Sequence, residues 1–267
     1  MNTSRLSIVK IGGNVIDDRS ALEDFVEKFA ALPGKKILVH GGGKLASDLS
    51  TKMGIPVNMV DGRRITDADT LKIATMVYAG LTNKAIVAQL QAKGCDAIGL
   101  SGADGNTIQT MKRPVKEIDY GFVGDIMHDS VNVANVRKFL DAGFTPVFSA
   151  ITHNGLGQLL NTNADTIASA IAVAMTTIYE TRLIYCFEKP GVLRDVNDEN
   201  SVIPEISLMD FERMQKVKAV AEGMIPKLQN AFDALGKGVS KVLIGHAGSL
   251  HLIQNEHAGT RIVLKKV

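Results

Sequence analysis

The chain has 267 residues, of which 45% are hydrophobic and 22% are charged, and its formal net charge is +2. This length suits one large α/β domain or two lobes that share a core, and the composition is ordinary for a globular protein. The basic residues form no long run, so a broad nucleic-acid-binding surface is not predicted.

Neither a membrane protein nor a disulfide-rich protein is predicted. No stretch approaches the roughly 20 apolar residues of a membrane helix, and the first 13 residues lack the apolar core of a signal peptide. The two cysteines, Cys95 and Cys186, lie in apolar surroundings and are expected to be buried thiols rather than a disulfide or metal ligands. We therefore expect a cytoplasmic protein without membrane partners.

Short apolar runs that end in a glycine or a polar turn predict the strands of a sheet. Helical periodicity between most of these runs indicates a mostly parallel sheet with helices on both faces. The predicted strands are Leu6–Ile11, Lys36–His40, Ala97–Leu100, Pro146–Ile151, Leu183–Phe187 and Val242–Gly245. The predicted apolar helix faces are Leu45, Leu49 and Met53; then Val133, Val136 and Leu140 after a cap at Asp129 or Ser130; then Ile167, Ile171 and Met175.

Two stretches depart from this alternation. Residues 105–128 contain turn sequences and predict an antiparallel ribbon, whereas residues 194–205 are polar and predict a loop. A soft boundary between two lobes is expected near residue 180. Ligands of open parallel sheets bind beyond the carboxyl ends of the strands, so the turns after strands are the places to search for a site.

Two of these turns are rich in glycine: Gly12-Gly13, and Gly41-Gly42-Gly43. Glycines let backbone N–H groups approach an anion, and a helix that follows adds its positive end, so the pair of turns predicts a phosphate cradle. The P-loop pattern is absent. Gly41 and Gly43 also fit a loose dinucleotide-binding pattern with Asp61, but a dehydrogenase would leave Lys10 unexplained.

Phosphoryl transfer between anions needs positive charge and careful positioning. Lys10 ends a buried strand, where an anion ligand is a better expectation than a structural lysine. Lys227 lies at the start of a helix, where its charge opposes the helix dipole, and this is a weak functional signal. Asp165 opens another helix, and either helix capping or the orientation of nearby lysines explains it.

Other polar groups suit a substrate. Arg63 and Arg64 place two guanidinium groups at a turn, where one fork can bind a carboxylate and a solvated pair is the alternative. Asn161 and Asn163 precede a helix. Either side chain can cap that helix, and the alternative is that these side chains contact a ligand.

The motifs VKIGGN, VHGGG, DGRRIT, NTNAD and EGMIPK, in this order, resemble the N-acetylglutamate kinase family of the amino-acid kinase superfamily. The resemblance extends from Lys10 to Arg261 and includes the ribbon sequence YGFVG. It implies a three-layer αβα sandwich with an open, mostly parallel sheet, as in carbamate kinases. It also implies a homodimer in which residues 1–180 bind the amino acid and dimerise, while residues 181–267 bind the nucleotide.

The reaction that the resemblance implies is transfer of the γ-phosphoryl group of MgATP to the side-chain carboxylate of an N-acyl-L-glutamate, in arginine biosynthesis. Lys10 and Lys227 would stabilise the transferring group, and Asp165 would orient both lysines. No metal ligand from a protein side chain is implied. The implied phosphate contacts are Gly12 and Gly13. The implied substrate contacts are Gly42 and Gly43 (to the substrate or to phosphoryl oxygens), Arg64 (to the α-carboxylate), Asn161 and Asn163 (to the acylamino part). The implied nucleotide contacts are Glu188, Lys189, Pro190, Gly191, Val192, Leu193, Ala219, Val220 and Ala221.

The chain departs from the family pattern at Glu188-Lys189-Pro190, where relatives usually have D-V-x-G-V. The first strand begins too early for the helix through which arginine inhibits some members. The acyl group, acetyl or a larger one such as succinyl, stays open. Two alternatives remain: another carboxylate or carbamate kinase, and a catalytically silent amino-acid or nucleotide sensor, although a silent domain would be expected to have lost Lys10, Asp165 or Lys227.

Overall fold

A computed structural model describes residues 4–60, 63–216 and 224–264 of the protein. The strands are β1 (Arg5–Ile11), β2 (Lys35–His40), β3 (Met59–Val60), β4 (Arg63–Arg64), β5 (Ala97–Leu100), β6 (Met111–Lys112), β7 (Gly124–Asp125), β8 (Thr145–Ser149), β9 (Ile151–His153), β10 (Leu159–Asn161), β11 (Glu180–Phe187), β12 (Glu205–Ser207), β13 (Lys241–His246) and β14 (Thr260–Val263). The helices are α1 (Gly13–Asp17), α2 (Arg19–Ala30), α3 (Gly43–Lys52), α4 (Ala68–Thr75), α5 (Asn83–Ala92), α6 (Val133–Asp141), α7 (Ala164–Ala174), α8 (Leu208–Lys216), α9 (Ile225–Gly236) and α10 (Leu250–Gln254), with a π-helix at Met76–Thr82 between α4 and α5.

The central sheet has eight strands in the order β12-β14-β13-β11-β1-β2-β8-β5. The recorded pairs are parallel except for β13 with β14. Strands buried on both faces are typical of such a sheet, and in β1 the side chains of Leu6, Ile8, Val9 and Ile11 are all fully buried. The α/β class and the mostly parallel sheet are therefore confirmed.

The chain forms two compact units. The first contains Met1–Lys36 and Ile171–Val267. In this unit β1 pairs in parallel with β11 along its whole length, from Arg5 opposite Glu180 to Ile11 opposite Cys186. The first 36 residues consequently group with the C-terminal residues. These bounds differ from those of the two predicted lobes, which divide at residue 180, and the functions assigned to the lobes stay a prediction.

The second unit is Ile37–Ala170. Its part of the sheet consists of β2, β8 and β5, and the small ladders β3–β4, β6–β7 and β9–β10 lie outside that sheet. The ribbon predicted for residues 105–128 is present as the antiparallel pair of β6 and β7. The run predicted as one strand over 146–151 instead ends at Ser149, and Ile151 begins β9.

Two local predictions about helices are wrong. The predicted apolar face of α3 is not its buried face, since Met53 is 56% exposed whereas Ala46 and Ser50 are buried. Helix α6 is capped by Asn132, whose Oδ1 accepts from Asn135 N at 3.0 Å, and not by Asp129 or Ser130. The face of α7 is as predicted, with Ile167, Ile171 and Met175 fully buried.

Both cysteines are buried and form no disulfide, as expected. Burial raises the pKa of the Cys186 thiol to about 12, against the opposing charge of Lys10, so this thiol stays protonated. Within the described ranges, no helix combines the length and the apolar character needed to cross a membrane.

Candidate active site

The second glycine turn joins β2 to α3 in the second unit. Gly42 has φ 154° and ψ 28°, and a Cβ on this residue would lie 3.0 Å from Cδ1 of Tyr78. No side chain caps α3, and the first hydrogen bond of the helix runs from Ala46 N to Gly42 O. Among the described residues, the N–H groups of Gly42 and Gly43 have no acceptor. An uncapped helix start with open amides is a ready anion site.

Arg64 supplies a positive charge beside this turn. Its Nη2 donates to Gly43 O at 2.8 Å and to Ser47 Oγ at 2.6 Å, and the side chain is 9% exposed. In the part of the chain that the structure describes, Nη1 is buried without a hydrogen-bond partner. A buried guanidinium with one open side is costly unless a ligand completes it. The group is therefore arranged to receive a carboxylate or a phosphate oxygen.

The neighbouring Arg63 is exposed. The two arginines form the strand β4, in which successive side chains point to opposite faces, so only one of them turns inward.

Tyr78, on the π-helix, belongs to the same site and was not identified from the sequence. It is 5% exposed, and its hydroxyl lies 4.0 Å from the position of a Cβ on Gly43. Burial raises the pKa of its phenol, and the charge of Arg64 opposes the rise, so the hydroxyl is protonated and close to the guanidinium. Thr82, four residues on, has a buried Oγ1 without a partner among the described residues. The sequence signal for this part of the site is the four-residue spacing of two hydroxyl-bearing side chains, Tyr78 and Thr82, in an otherwise apolar helical stretch.

Asn161 and Asn163 have different roles in the structure. The side chain of Asn161 donates from Nδ2 to Thr66 Oγ1 at 3.0 Å, and Thr66 in turn donates to Arg64 O at 3.1 Å. This chain of hydrogen bonds ties Asn161 to the strand that carries Arg64. Asn163 caps α7, because its Oδ1 accepts from Thr166 N at 3.0 Å. The capping interpretation thus holds for Asn163, whereas the assignment of Asn161 to the substrate stays a prediction.

Asp165 lies in the first turn of α7 and is 8% exposed. The positive end of the helix favours a carboxylate at this position. The second unit therefore contains six of the predicted site residues, namely Gly42, Gly43, Arg64, Asn161, Asn163 and Asp165.

The first unit contains the other glycine turn. Gly12 N donates to Cys186 O at 2.8 Å, which fastens the turn to β11, and a Cβ on Gly12 would lie 3.3 Å from Phe187 Cβ. Gly13 begins α1, which has no side-chain cap, and its N–H has no acceptor among the described residues. The half-buried Lys10 stands on β1 just before the turn.

Lys227 lies in the first turn of α9, after Pro226, and is partly buried. Among residues 4–60, 63–216 and 224–264, no side chain caps this helix. The lysine thus stands where the helix dipole disfavours a cation, and its role in phosphoryl transfer stays a prediction.

The predicted nucleotide segment begins beside the first glycine turn. Glu188 accepts from Asn14 Nδ2 at 2.8 Å, so the residue at which the chain departs from the family pattern contacts the helix that follows Gly12-Gly13. Lys189 pairs with Glu199 at 3.1 Å. Val192 N donates to Thr260 Oγ1 at 2.9 Å, and Leu193 bridges to Val202. Gly191 has no room for a Cβ, which would lie 2.8 Å from Thr260 Oγ1.

The last three residues of the segment therefore hold the loop in place. The predicted contacts Ala219, Val220 and Ala221 lie outside the described residues.

A cavity of about 640 Å³ adjoins Pro190 in the first unit. Its charged wall is already paired, because Arg261 binds Glu205 at 2.5 Å and Glu256 at 3.1 Å. Because the Arg261 guanidinium already pairs with two carboxylates of the cavity wall, the cavity is poorly suited to bind a triphosphate. Among residues 4–60, 63–216 and 224–264, no three His, Cys, Asp or Glu side chains are grouped to hold a metal ion.

His40 stands behind the second glycine turn and is fully buried. Burial lowers its pKa to about 4, and the charge of Lys84 acts in the same direction. The unfolded chain, with a histidine pKa near 6.5, binds more protons between pH 4 and 6.5 than the folded one, so stability in this window rises with pH.

We expect the free energy of unfolding to fall by up to about 3 kcal/mol as the pH drops from 6.5 to 4, with His40 as the main cause. Urea titrations across this range should show a much smaller pH dependence for His40→Asn. The exposed His251→Asn is the control and should behave like the parent. Carboxylates such as Asp67, whose pKa is lowered first of all by the backbone hydrogen bond from Thr70, lose their contribution only at lower pH. An unchanged slope in His40→Asn would contradict the assignment.

The chain that carries the two glycine turns and the inward arginine is similar to known proteins. The family model described as "Amino acid kinase family" matches residues 5–246, and the chain belongs to this family. Acetylglutamate kinases are among its most similar relatives. The one from Bacteroides fragilis is 50% identical over 97% of both chains, and the one from Cytophaga hutchinsonii is 52% identical over 97% of this chain and 98% of that relative.

Solved structures support the same fold. The Streptococcus mutans protein smu.665 superposes with a TM-score of 0.80 and 25% identity, over 97% of this chain and 99% of that chain. The carbamate kinase of Giardia superposes with a TM-score of 0.69 and 12% identity, over 99% of this chain and 100% of that chain. The predicted resemblance to the amino-acid kinase superfamily, with a carbamate-kinase-like fold, is thus confirmed.

Proposed function

We propose that this protein is an ATP-dependent kinase that phosphorylates the side-chain carboxylate of an N-acyl-L-glutamate and forms an acyl phosphate in arginine biosynthesis. The observation that carries the proposal is the buried guanidinium of Arg64 beside the amides of Gly42 and Gly43. Within the part of the chain that the structure describes, Nη1 and both amides have no hydrogen-bond partner. About half of the residues are identical to those of acetylglutamate kinases over nearly the full length. A second candidate function is not favoured by any contact.

The amino acid is bound in the second unit. Arg64 and the Tyr78 hydroxyl hold its α-carboxylate, since a guanidinium fork and a phenol both donate to carboxylate oxygens. Asn161 faces the acylamino group and keeps its orientation through Thr66. The side-chain carboxylate is ionised at neutral pH and attacks the γ-phosphorus directly, so no general base is required.

The phosphoryl group needs positive charge at its equatorial oxygens and at the leaving oxygen. Lys10 and Lys227 supply two ammonium groups, Asp165 orients them, and the amides of Gly12-Gly13 and Gly42-Gly43 supply hydrogen bonds. Mg²⁺ enters with ATP and neutralises the charge of its phosphates; we assign it no side-chain ligand. The nucleotide is assigned to Glu188–Leu193 and residues 219–221. A cytoplasmic location, where ATP and the amino acid are available, and a homodimer complete the proposal.

An ATP-dependent assay that traps acyl phosphates as hydroxamates tests this function. We expect product with N-acetyl-L-glutamate or N-succinyl-L-glutamate, and the rates with these two substrates identify the acyl group. No product from any acylated glutamate would overturn the proposal. Activity with free glutamate alone, or with carbamate alone, would assign the protein to a different branch of its family.

Tyr78→Phe removes only the hydroxyl beside Arg64. We expect KM for the acylated glutamate to rise by about 10-fold to 100-fold, the size of one hydrogen bond to a charged group, with kcat little changed. Steady-state kinetics with saturating ATP measures both. Tyr179→Phe, which removes a buried hydroxyl from the other unit, is the control and should leave KM unchanged. A fall in kcat without a change in KM would show that the hydroxyl does not bind the ground-state substrate.

A further inference from the structure

The carbonyl of Gly41 is held by the side chain of the residue that precedes it. Nδ1 of His40 lies 2.8 Å from Gly41 O, and Nε2 lies 3.0 Å from Asn83 Nδ2. The same Nδ2 lies 2.8 Å from Val147 O. A carbonyl oxygen can only accept, so the amide nitrogen of Asn83, and not its oxygen, must face this corner, and it donates one hydrogen to each neighbour.

This arrangement decides the tautomer of His40. Because Nε2 accepts from Asn83, the single proton of a neutral imidazole is on Nδ1, which donates to Gly41 O. Protonation of Nε2 would place two donors against each other. His40 is therefore neutral, and with its accepting nitrogen engaged it is not placed to take a proton from a substrate.

The orientation of the Gly41 carbonyl has a consequence for the next amide. In a trans peptide the C=O and N–H groups point in opposite directions, so the hydrogen bond from His40 directs Gly42 N–H away from the imidazole. That N–H has no acceptor among the described residues. Three successive glycines have little intrinsic stiffness, so a side chain is needed to hold the peptide plane.

Asn83 is itself rigidly held. It is 1% exposed at the first position of α5, directly after the π-helix. Its Oδ1 accepts from Lys84 Nζ at 3.3 Å, and a Cβ on Gly99 would overlap this oxygen. Space for the amide thus exists only because residue 99 is glycine. The network links the core strand β8, through Asn83 and His40, to the glycine turn.

We propose that His40 and Asn83 are positioning residues for the phosphoryl transfer, in which the Nδ1–H of His40 fixes the Gly41–Gly42 peptide so that Gly42 N–H is aimed at the reacting oxygens. This inference rests on the proposed function, because the reacting oxygens are those of that reaction. The groups that face the imidazole are the Gly41 carbonyl, the Asn83 amide and, through its charge, Lys84.

Two substitutions of His40 separate positioning from packing. The amide nitrogen of His40→Asn can take the place of Nδ1 and still donate to Gly41 O, whereas His40→Gln reaches only the place of Nε2. We expect His40→Asn to retain kcat within about threefold and His40→Gln to lose about 10-fold to 100-fold, the range expected when an electrostatic contact is misplaced. KM for ATP should change little in either variant. Equal losses of kcat in both, in proportion to their thermal midpoints, would overturn the proposal.

The tautomer can be measured in the unmodified protein. A long-range ¹H–¹⁵N correlation spectrum should show His40 neutral at pH 7 with its proton on Nδ1. A proton on Nε2 would reverse the hydrogen bonds and overturn the proposal, whatever the variants do. This spectrum needs no turnover, so a protein that makes no acyl phosphate but shows the Nδ1–H tautomer would defeat the proposed function and leave the hydrogen-bond network established.

Discussion

Replacing Lys10 or Lys227 by methionine is expected to lower kcat by about 10²-fold or more, because each ammonium offsets charge that develops in the transition state. Methionine keeps the length and the apolar stem of lysine, so packing around β1 and α9 is preserved. Single-turnover measurements at saturating ATP and amino acid report the chemical step alone. KM for the amino acid should change much less than kcat.

Lys28→Met is the matched control for this pair. Lys28 pairs with Asp24 on the surface of α2 in the same unit as Lys10, and its loss should leave kcat unchanged. If Lys10→Met retained full kcat, the role assigned to the first glycine turn would be wrong. The same result for Lys227→Met would remove only that lysine from the proposed machinery.

Arg64→Met is expected to raise KM for the acylated glutamate by about 10²-fold, since a bidentate, charge-assisted contact with the α-carboxylate is lost. Its effect on stability should be small or favourable. Among the residues that the structure describes, the buried Nη1 of this guanidinium has no hydrogen-bond partner. Replacing a buried charge by an apolar side chain of similar volume is often neutral or stabilising. The combination of weak binding and an undiminished thermal midpoint distinguishes a ligand-binding arginine from a structural one.

Arg63→Met is the control, because this exposed neighbour occupies the same short strand. We expect neither KM nor the thermal midpoint to change. A loss of stability in Arg64→Met comparable to that of a core substitution, with KM unchanged, would assign the arginine to the fold instead of the substrate. Steady-state kinetics and thermal unfolding of the two variants give both readouts.

For the pair Arg63 and Arg64, the sequence did not predict which of the two side chains is buried. The turn chemistry predicted two guanidinium groups near a substrate, and only one of them needed to point inward. The choice depended on the register of β4 with β3, in which Met59 lies opposite Arg64 and Val60 opposite Arg63. Strand register is set by pairing between segments, and a two-residue strand has no internal pattern that reveals it.

In helix α3 the sequence did predict a buried face, and that prediction is wrong. A regular apolar spacing predicted Leu45, Leu49 and Met53 as its buried face, yet the small residues Ala46 and Ser50 are the buried ones. This helix packs near α4 and the π-helix, and small side chains permit a close approach. Periodicity identified the helix correctly, whereas the orientation of its faces was decided by what lies next to it.

By itself the sequence determined the parallel α/β class and the two glycine turns at strand ends, because each of these is written in a local pattern of a few residues. The roles of Lys10 and Lys227 near these turns stay predictions. Only the tertiary structure decided which arginine turns inward, that Tyr78 joins it, and that His40 and Asn83 hold the turn between them. These contacts join segments that are tens of residues apart, and packing rather than local preference brings such segments together.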